Sequence, residues 1–167
     1  MSSVAARLKA AGLSLPPPMG AAANYTPHVT TKTADGWLVH TAGQGPYRDG
    51  RLHHLGCIGR ELDLAQACDS ARLVTLNVLT QAQQAGRAIL GDGALGSDTL
   101  DRALCLRLGI FVYCTTGFAQ LDAIADAASD LVLTALGAAG RHARSVAGMP
   151  ALPMRTSVEI DGIFLFR

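Results

Sequence analysis

Residues 102–115, RALCLRLGIFVYCT, restrict this chain more than any other segment. A strand with one wet face alternates apolar and polar residues, whereas here both alternating sets are dominated by Leu, Cys, Ile, Phe and Val. Such a run predicts a central strand covered on both sides. Two helical stripes supply the first cover. Leu64, Cys68, Ala71, Thr75, Val78 and Ala82 recur at helical spacing across residues 64–85, with Gly86 as the expected C-cap. Ile124, Ala127, Leu131 and Ala135 repeat the pattern across residues 121–139, ending at Gly140. Val4, Leu8 and Ala11 mark a short first helix, after which Pro16, Pro17 and Pro18 force an extended path along the surface.

Residues 25–33 and 36–44 read as strands joined at Asp35-Gly36, with Trp37, Val39 and Thr41 on one face. A short edge strand is expected at 51–59, and further strands at 143–148 and 157–166, with Pro150 and Pro153 confining the turn between the last two. This order predicts an α+β layer in which two helices cover one face of a mixed sheet. The other face still needs cover.

The chain has 167 residues, the size of one domain, and residues 1–167 read as one unit with 1–23 as its helical and Pro-rich extension. Only 16% of residues are charged against 49% hydrophobic, which excludes intrinsic disorder and suggests that a partner subunit covers part of the surface. A net charge of +1 from scattered basic residues leaves no electrostatic footprint for nucleic acid. Four cysteines without a CxxC pair read as reduced thiols in a cytoplasmic protein. Cys68, Cys105 and Cys114 fall in apolar stripes and are expected to be structural, with Cys57 near a loop as the exception. The apolar part of the N-terminus is too short for a secretory signal, and no run of about 18 apolar residues predicts a membrane span.

Gly91, Gly93 and Gly96 match GxGxxG, but they follow a helix and precede a strand, the reverse of the order that aims helix-end amides at a pyrophosphate. His53, His54 and Cys57 cluster, yet adjacent histidines on a strand point to opposite faces, so no metal is expected. No elbow motif surrounds Ser145 near His142. The informative residues are Arg144 and Glu159, charges set in apolar strands, which need partners or a task. An arginine fork grips a carboxylate through two parallel hydrogen bonds, and a nearby glutamate can orient water or move a proton. From the residues alone, the alternative is that the two pair with each other or with a neighbouring subunit.

LPPP at 15–18, NY at 24–25, TAGQGP at 41–46, ARLVTLNVL at 71–79, GRHARS at 140–145, and ALP at 151–153 followed by VEIDGI at 158–163 together resemble the Rid (reactive intermediate deaminase, YjgF-like) family, in its branch with a longer N-terminus. The resemblance implies a chorismate-mutase-like α+β fold, packed as a homotrimer whose sheets form a central barrel, with clefts between subunits. It also implies hydrolytic deamination of 2-imino or 2-enamino acids to 2-keto acids and ammonia, with no metal or organic cofactor. Arg144 matches the arginine that binds the substrate carboxylate, Glu159 the acidic residue associated with water, and Tyr25 and Gly43 further cleft positions. Two departures stand out. Val146 occupies the place of a cysteine usual in the deaminase branch, and Asp126 replaces an asparagine, adding a charge that would repel an anion if it faced the cleft. A keto-acid binding or regulatory protein on the same cleft is the competing expectation. The endoribonuclease activity attached to some members fits the near-neutral charge poorly.

Overall fold

The computed structural model describes residues 2–91 and 98–167. Gly93 and Gly96 of the GxGxxG spacing therefore lie outside the described residues. In chain order the elements are α1 (Val4–Ala10), β1 (His28–Thr33), β2 (Gly36–Thr41), β3 (Tyr47–Arg48), β4 (Arg51–Leu52), α2 (Leu64–Leu90), β5 (Ala103–Tyr113), α3 (Leu121–Leu136), β6 (Ala143–Met149) and β7 (Val158–Phe166). The main sheet runs β1-β2-β7-β5-β6. Only β5 and β6 are parallel, joined by the crossover that contains α3, and the other neighbours are antiparallel. The mixed α+β layer is thus as expected, and β5 is internal, hydrogen-bonded to β7 on one side and β6 on the other.

Helix α2 holds the layers together. Asp63 and Gln66 form a reciprocal capping box at its start, through contacts of 2.8 and 3.0 Å. Residues 73–82 are all buried because the sheet, α3 and the N-terminal extension surround this part of the helix. The extension is moored by Thr80 Oγ1, which donates to the Pro16 carbonyl at 3.1 Å, and Gln81 Nε2, which donates to Met19 at 2.8 Å. Val74 and Val78 of α2 and Ile124 and Leu131 of α3 join Val39, Leu108, Ile110, Ile160 and Phe164 of the sheet in one apolar core. Val4 and Leu8 of α1 enter the same core, while Ala11 is the exposed C-cap.

Several expected boundaries shift for identifiable reasons. Gly86 does not end α2; it lies inside the helix, where a Cβ would come within 2.6 Å of the Phe166 ring and 2.9 Å of Thr99 Oγ1. Gly91, with φ +82°, is the cap. The first strand starts at His28 rather than residue 25, since Pro27 has no N–H for the ladder. The second ends at Thr41, with Gln44 returning to β7 through a bridge to Ile160. The edge strand expected at 51–59 shrinks to the two-residue hairpin partner β4, because Gly56 and Gly59, at φ +127° and +84°, coil the chain away. His53 and His54 are therefore not on a strand. Among the described residues no three His, Cys, Asp or Glu side chains gather at a metal-binding distance. Helix α3 is α-helical to Leu136 and 3-10 over Gly137–Gly140. Leu121–Gly140 is long and apolar enough to cross a membrane by composition, and half of its apolar window is buried against the rest of the chain.

Burial pushes the Cys105 thiol up to about 12 and raises Cys68 and Cys114 as well. Cys57, expected to be the accessible thiol, is buried too, at 3% exposure. The sheet face opposite the helices carries Leu38, Phe111, Tyr113 and Ile163, all half-buried, and no described helix covers it.

Gly86 gives a test of sign. In an exposed helix Gly→Ala stabilises by up to about 1 kcal/mol. Gly86→Ala is instead expected to destabilise by about 1–2 kcal/mol, because the Phe166 ring is fully buried and cannot retreat. The midpoint of urea unfolding reads the difference, and a raised midpoint would refute the packing.

Candidate functional site

A cavity of about 640 Å³ opens where the loop after β2, the turn before β7 and the N-terminal extension meet. Tyr25, Gly43 and Glu159 all line it. Its floor is fixed by Gln44, whose backbone N–H donates to the Ile160 carbonyl at 2.9 Å and whose carbonyl accepts from Ile160 at 3.2 Å. This pairing lays Gly43 against Glu159, where any Cβ would overlap the carboxyl group. A larger residue would push the Glu159 carboxyl aside, so the glycine serves close approach and keeps the carboxyl in place. Tyr25, 47% exposed, stands at the edge with its hydroxyl accepting from the Ala22 amide at 3.4 Å.

Glu159 alternates with the core residues Val158 and Ile160, so its side chain leaves the sheet on the face away from the helices. It is half-buried and has neither a hydrogen-bond nor an ion-pair partner among the described residues. Burial, and secondarily the Asp161 carboxylate, raise it above the ordinary carboxylate range. No Lys, Arg or His lines the cavity among the described residues.

Arg144 is elsewhere. It is in register with Leu108 on β5 and shares the helix-covered face, while Glu159 is in register with Phe111 on the opposite face. Two strand spacings and three residues separate the backbones, roughly 14 Å. Arg144 Nη2 pairs with Asp126 of α3 at 2.7 Å, and its Nη1 donates to Ser129 Oγ at 2.9 Å. Ser129 Oγ lies 3.1 Å from His142 Nε2, and His142 Nδ1 lies 2.6 Å from the Gly140 carbonyl. With Nδ1 as the donor, Nε2 accepts from the serine, and the chain of contacts fixes the arginine on edge strand β6. The departure at Asp126 thus bears on Arg144 directly, whereas Val146 packs against the core. The arginine and the glutamate do not pair with each other within the chain.

Other residues shape the cavity without a motif to announce them. Asn77, on the side of α2 that also carries Thr80 and Gln81, donates from Nδ2 to the carbonyls of Tyr47 at 2.9 Å and Gly45 at 3.4 Å, setting the loop height. A buried amide within a helical stripe is the signal that could have marked it. Met154 and Arg155 both have left-handed backbones, φ +53° and +58°, at a cost of roughly 1–3 kcal/mol each. Glu61 holds this turn by accepting from Arg155, Arg60 and, at 2.7 Å, the Cys57 amide, and these contacts hold its carboxyl down to about 2. The Gly56 amide donates to the Arg155 carbonyl at 2.9 Å.

The family model described as "YjgF/chorismate mutase-like, putative endoribonuclease" matches residues 5–166. Protein TCP17 of Trypanosoma cruzi is 34% identical over 162 residues, covering 96% of this chain and 92% of the relative. The chain belongs to the YjgF/Rid family. A solved Shewanella oneidensis structure called a "putative endoribonuclease" is 28% identical, covers 99% of this chain and 100% of its own, and superposes with a TM-score of 0.82. Escherichia coli TdcF, solved with bound serine, is 22% identical over 90% of this chain and 93% of its own; its TM-score of 0.53 shows a shared fold alone. Within the family frame, this chain gathers Tyr25, Gly43 and Glu159 at one cavity and keeps Arg144 on an outer edge.

A carboxylate raised by burial destabilises the fold when ionised. Glu159→Gln is therefore expected to be more stable than wild type near pH 7. The gain should shrink as the pH falls through the raised folded value and vanish below the ordinary carboxylate value, about pH 4. Urea titrations across that range check this, and a less stable variant at pH 7 would show that Glu159 has a cationic partner.

Proposed function

We propose that this protein hydrolyses reactive 2-imino and 2-enamino acids to 2-keto acids and ammonia in the cytoplasm, at clefts completed between copies of the chain. The observation that carries this is Glu159, a half-buried carboxylate with no partner among the described residues, facing a cavity beside a glycine that leaves it room. A carboxylate without a described partner at such a site is costly for stability, and burial raises its affinity for a proton, which suits it to proton transfer. The described lining of the cavity has no cation to meet a substrate carboxylate, while Arg144 stands at the sheet edge. A homotrimer would cover the apolar sheet face and set the β6 edge of one subunit at the cavity of the next. The serine bound by TdcF is a small amino carboxylate of the kind such a site would hold.

In the proposed reaction Arg144 of the neighbouring copy holds the carboxylate by a bidentate pair, exchanging Asp126 for the ligand. Protonation at carbon turns an enamine into an iminium. Glu159 accepts a proton from water as its oxygen bonds to C2, giving a carbinolamine. The proton then passes from Glu159 to nitrogen, ammonia leaves, and loss of the hydroxyl proton yields the keto acid. Imines hydrolyse unaided in water, so positioning and one base supply enough acceleration.

The Arg144–Asp126 pair favours a second reading, a keto-acid binding protein without turnover, because the guanidinium is already neutralised. Ribonuclease action is less well supported, since no described cation lines the cavity to meet phosphate.

Ammonia release from freshly generated imino acids is expected to fall roughly a hundredfold in Glu159→Gln with little change in keto-acid affinity. Arg144→Ala should weaken keto-acid binding on the order of a hundredfold. Wild-type decay no faster than buffer would exclude catalysis and leave binding. Asp126→Asn removes the competing carboxylate of an exposed pair, so keto-acid affinity should rise about two- to fivefold by titration calorimetry. A fall would mean that Asp126 positions the arginine instead.

A further inference from the structure

We propose that the cavity selects ligands with a bulky apolar group, so that the preferred substrates are 2-imino acids with branched or aromatic side chains. The inference rests on the reading of Glu159 as the reacting end of the cavity. Its volume within one copy of the chain, about 640 Å³, lies within the range of roughly 300–1,000 Å³ that holds drug-sized ligands and exceeds what a three-carbon keto acid fills. Most of the lining is apolar, including Met19, Ala22, Pro153 and Met154, with Tyr47 adding an aromatic surface. An aliphatic or aromatic tail packs against this lining, whereas an anionic tail would lose water there and face the Glu159 carboxylate.

Two features indicate that this wall is built and not incidental. Met154 is 54% exposed yet held in a left-handed turn, with Tyr47 Oη 3.8 Å from its Sδ. Strain maintained by surrounding contacts at a cavity is where a positioned side chain is expected, and an unbranched thioether adapts to apolar shapes of different outline. The second feature is the extension. Its Gly20-Ala21-Ala22-Ala23 run borders the cavity with small side chains, while Gln81 grips the Met19 carbonyl at 2.8 Å, so the wall is fixed but leaves space.

Titration calorimetry on the full chain tests this with pyruvate, 4-methyl-2-oxopentanoate and phenylpyruvate, and with 4-methyl-2-pentanone as a bulky ligand lacking the carboxylate. Each buried methylene contributes about fourfold in affinity, so both bulky acids are expected to bind at least about tenfold more tightly than pyruvate. Ala22→Phe, which fills the cavity, and Met154→Ala, which removes part of the wall, should each reduce that ratio several-fold, with melting curves establishing that the variants fold. Pyruvate binding as tightly as the bulky acids would overturn the apolar selection and leave the carboxylate site standing. Ketone binding as tight as that of the matching acid would overturn the carboxylate reading and leave the apolar selection standing. A ratio unchanged in both variants would overturn the assignment to this wall.

Discussion

Holding a carboxylate half out of water costs free energy, and the arrangement around Glu159 keeps it so, with no partner among the described residues. The Gln44–Ile160 backbone pair brings the loop down, Gly43 makes room, and Asn77 of α2 fixes the loop carbonyls from below. The same helix grips the N-terminal extension that closes the cavity. The site therefore depends on α2 lying deep between sheet, α3 and extension, where its middle turns are wholly buried. Relaxing that packing would give Glu159 water and remove the basis for its proposed chemistry.

The open sheet face and the location of Arg144 raise one question in two forms. Leu38, Phe111 and Ile163 make a face that a second surface would cover at a gain of apolar burial. Arg144 is held on the edge strand by Asp126 and Ser129, on the other side of the sheet from Glu159. A ligand small enough for its carboxylate and reacting carbon to be adjacent cannot span that gap within one chain. The proposed second copy would resolve both at once, covering the face and bringing an arginine to a cavity whose described lining has none.

Periodicity made the framework legible. The doubly apolar run at 102–115 is the internal strand β5, and the stripes from Leu64 and Ile124 became α2 and α3. Errors fell where tertiary contact overrode local pattern. Gly86 looks like a helix end, but its missing side chain accommodates Phe166, 80 residues away in sequence. Residues 51–59 have strand-like composition, yet positive φ at Gly56 and the ties from Glu61 to Arg155 turn them into a brace. At the site, Tyr25, Gly43 and Glu159 could be named from motif positions, and the cavity unites them. The separation of Arg144 could not be read, because strand alternation assigns a face only once the register is known. Met154 and the small-residue wall carry no motif at all, since shape alone gives them their place.

In the proposed assembly one site draws Arg144 and Glu159 from two different copies. Equal amounts of Arg144→Ala and Glu159→Gln protein, unfolded together and refolded, test it directly by ammonia release. If the clefts form between copies, random mixing restores an intact pair at about a quarter of the sites, and activity should recover to about a quarter of wild type. Activity no greater than that of the two variants refolded separately would contradict a shared site.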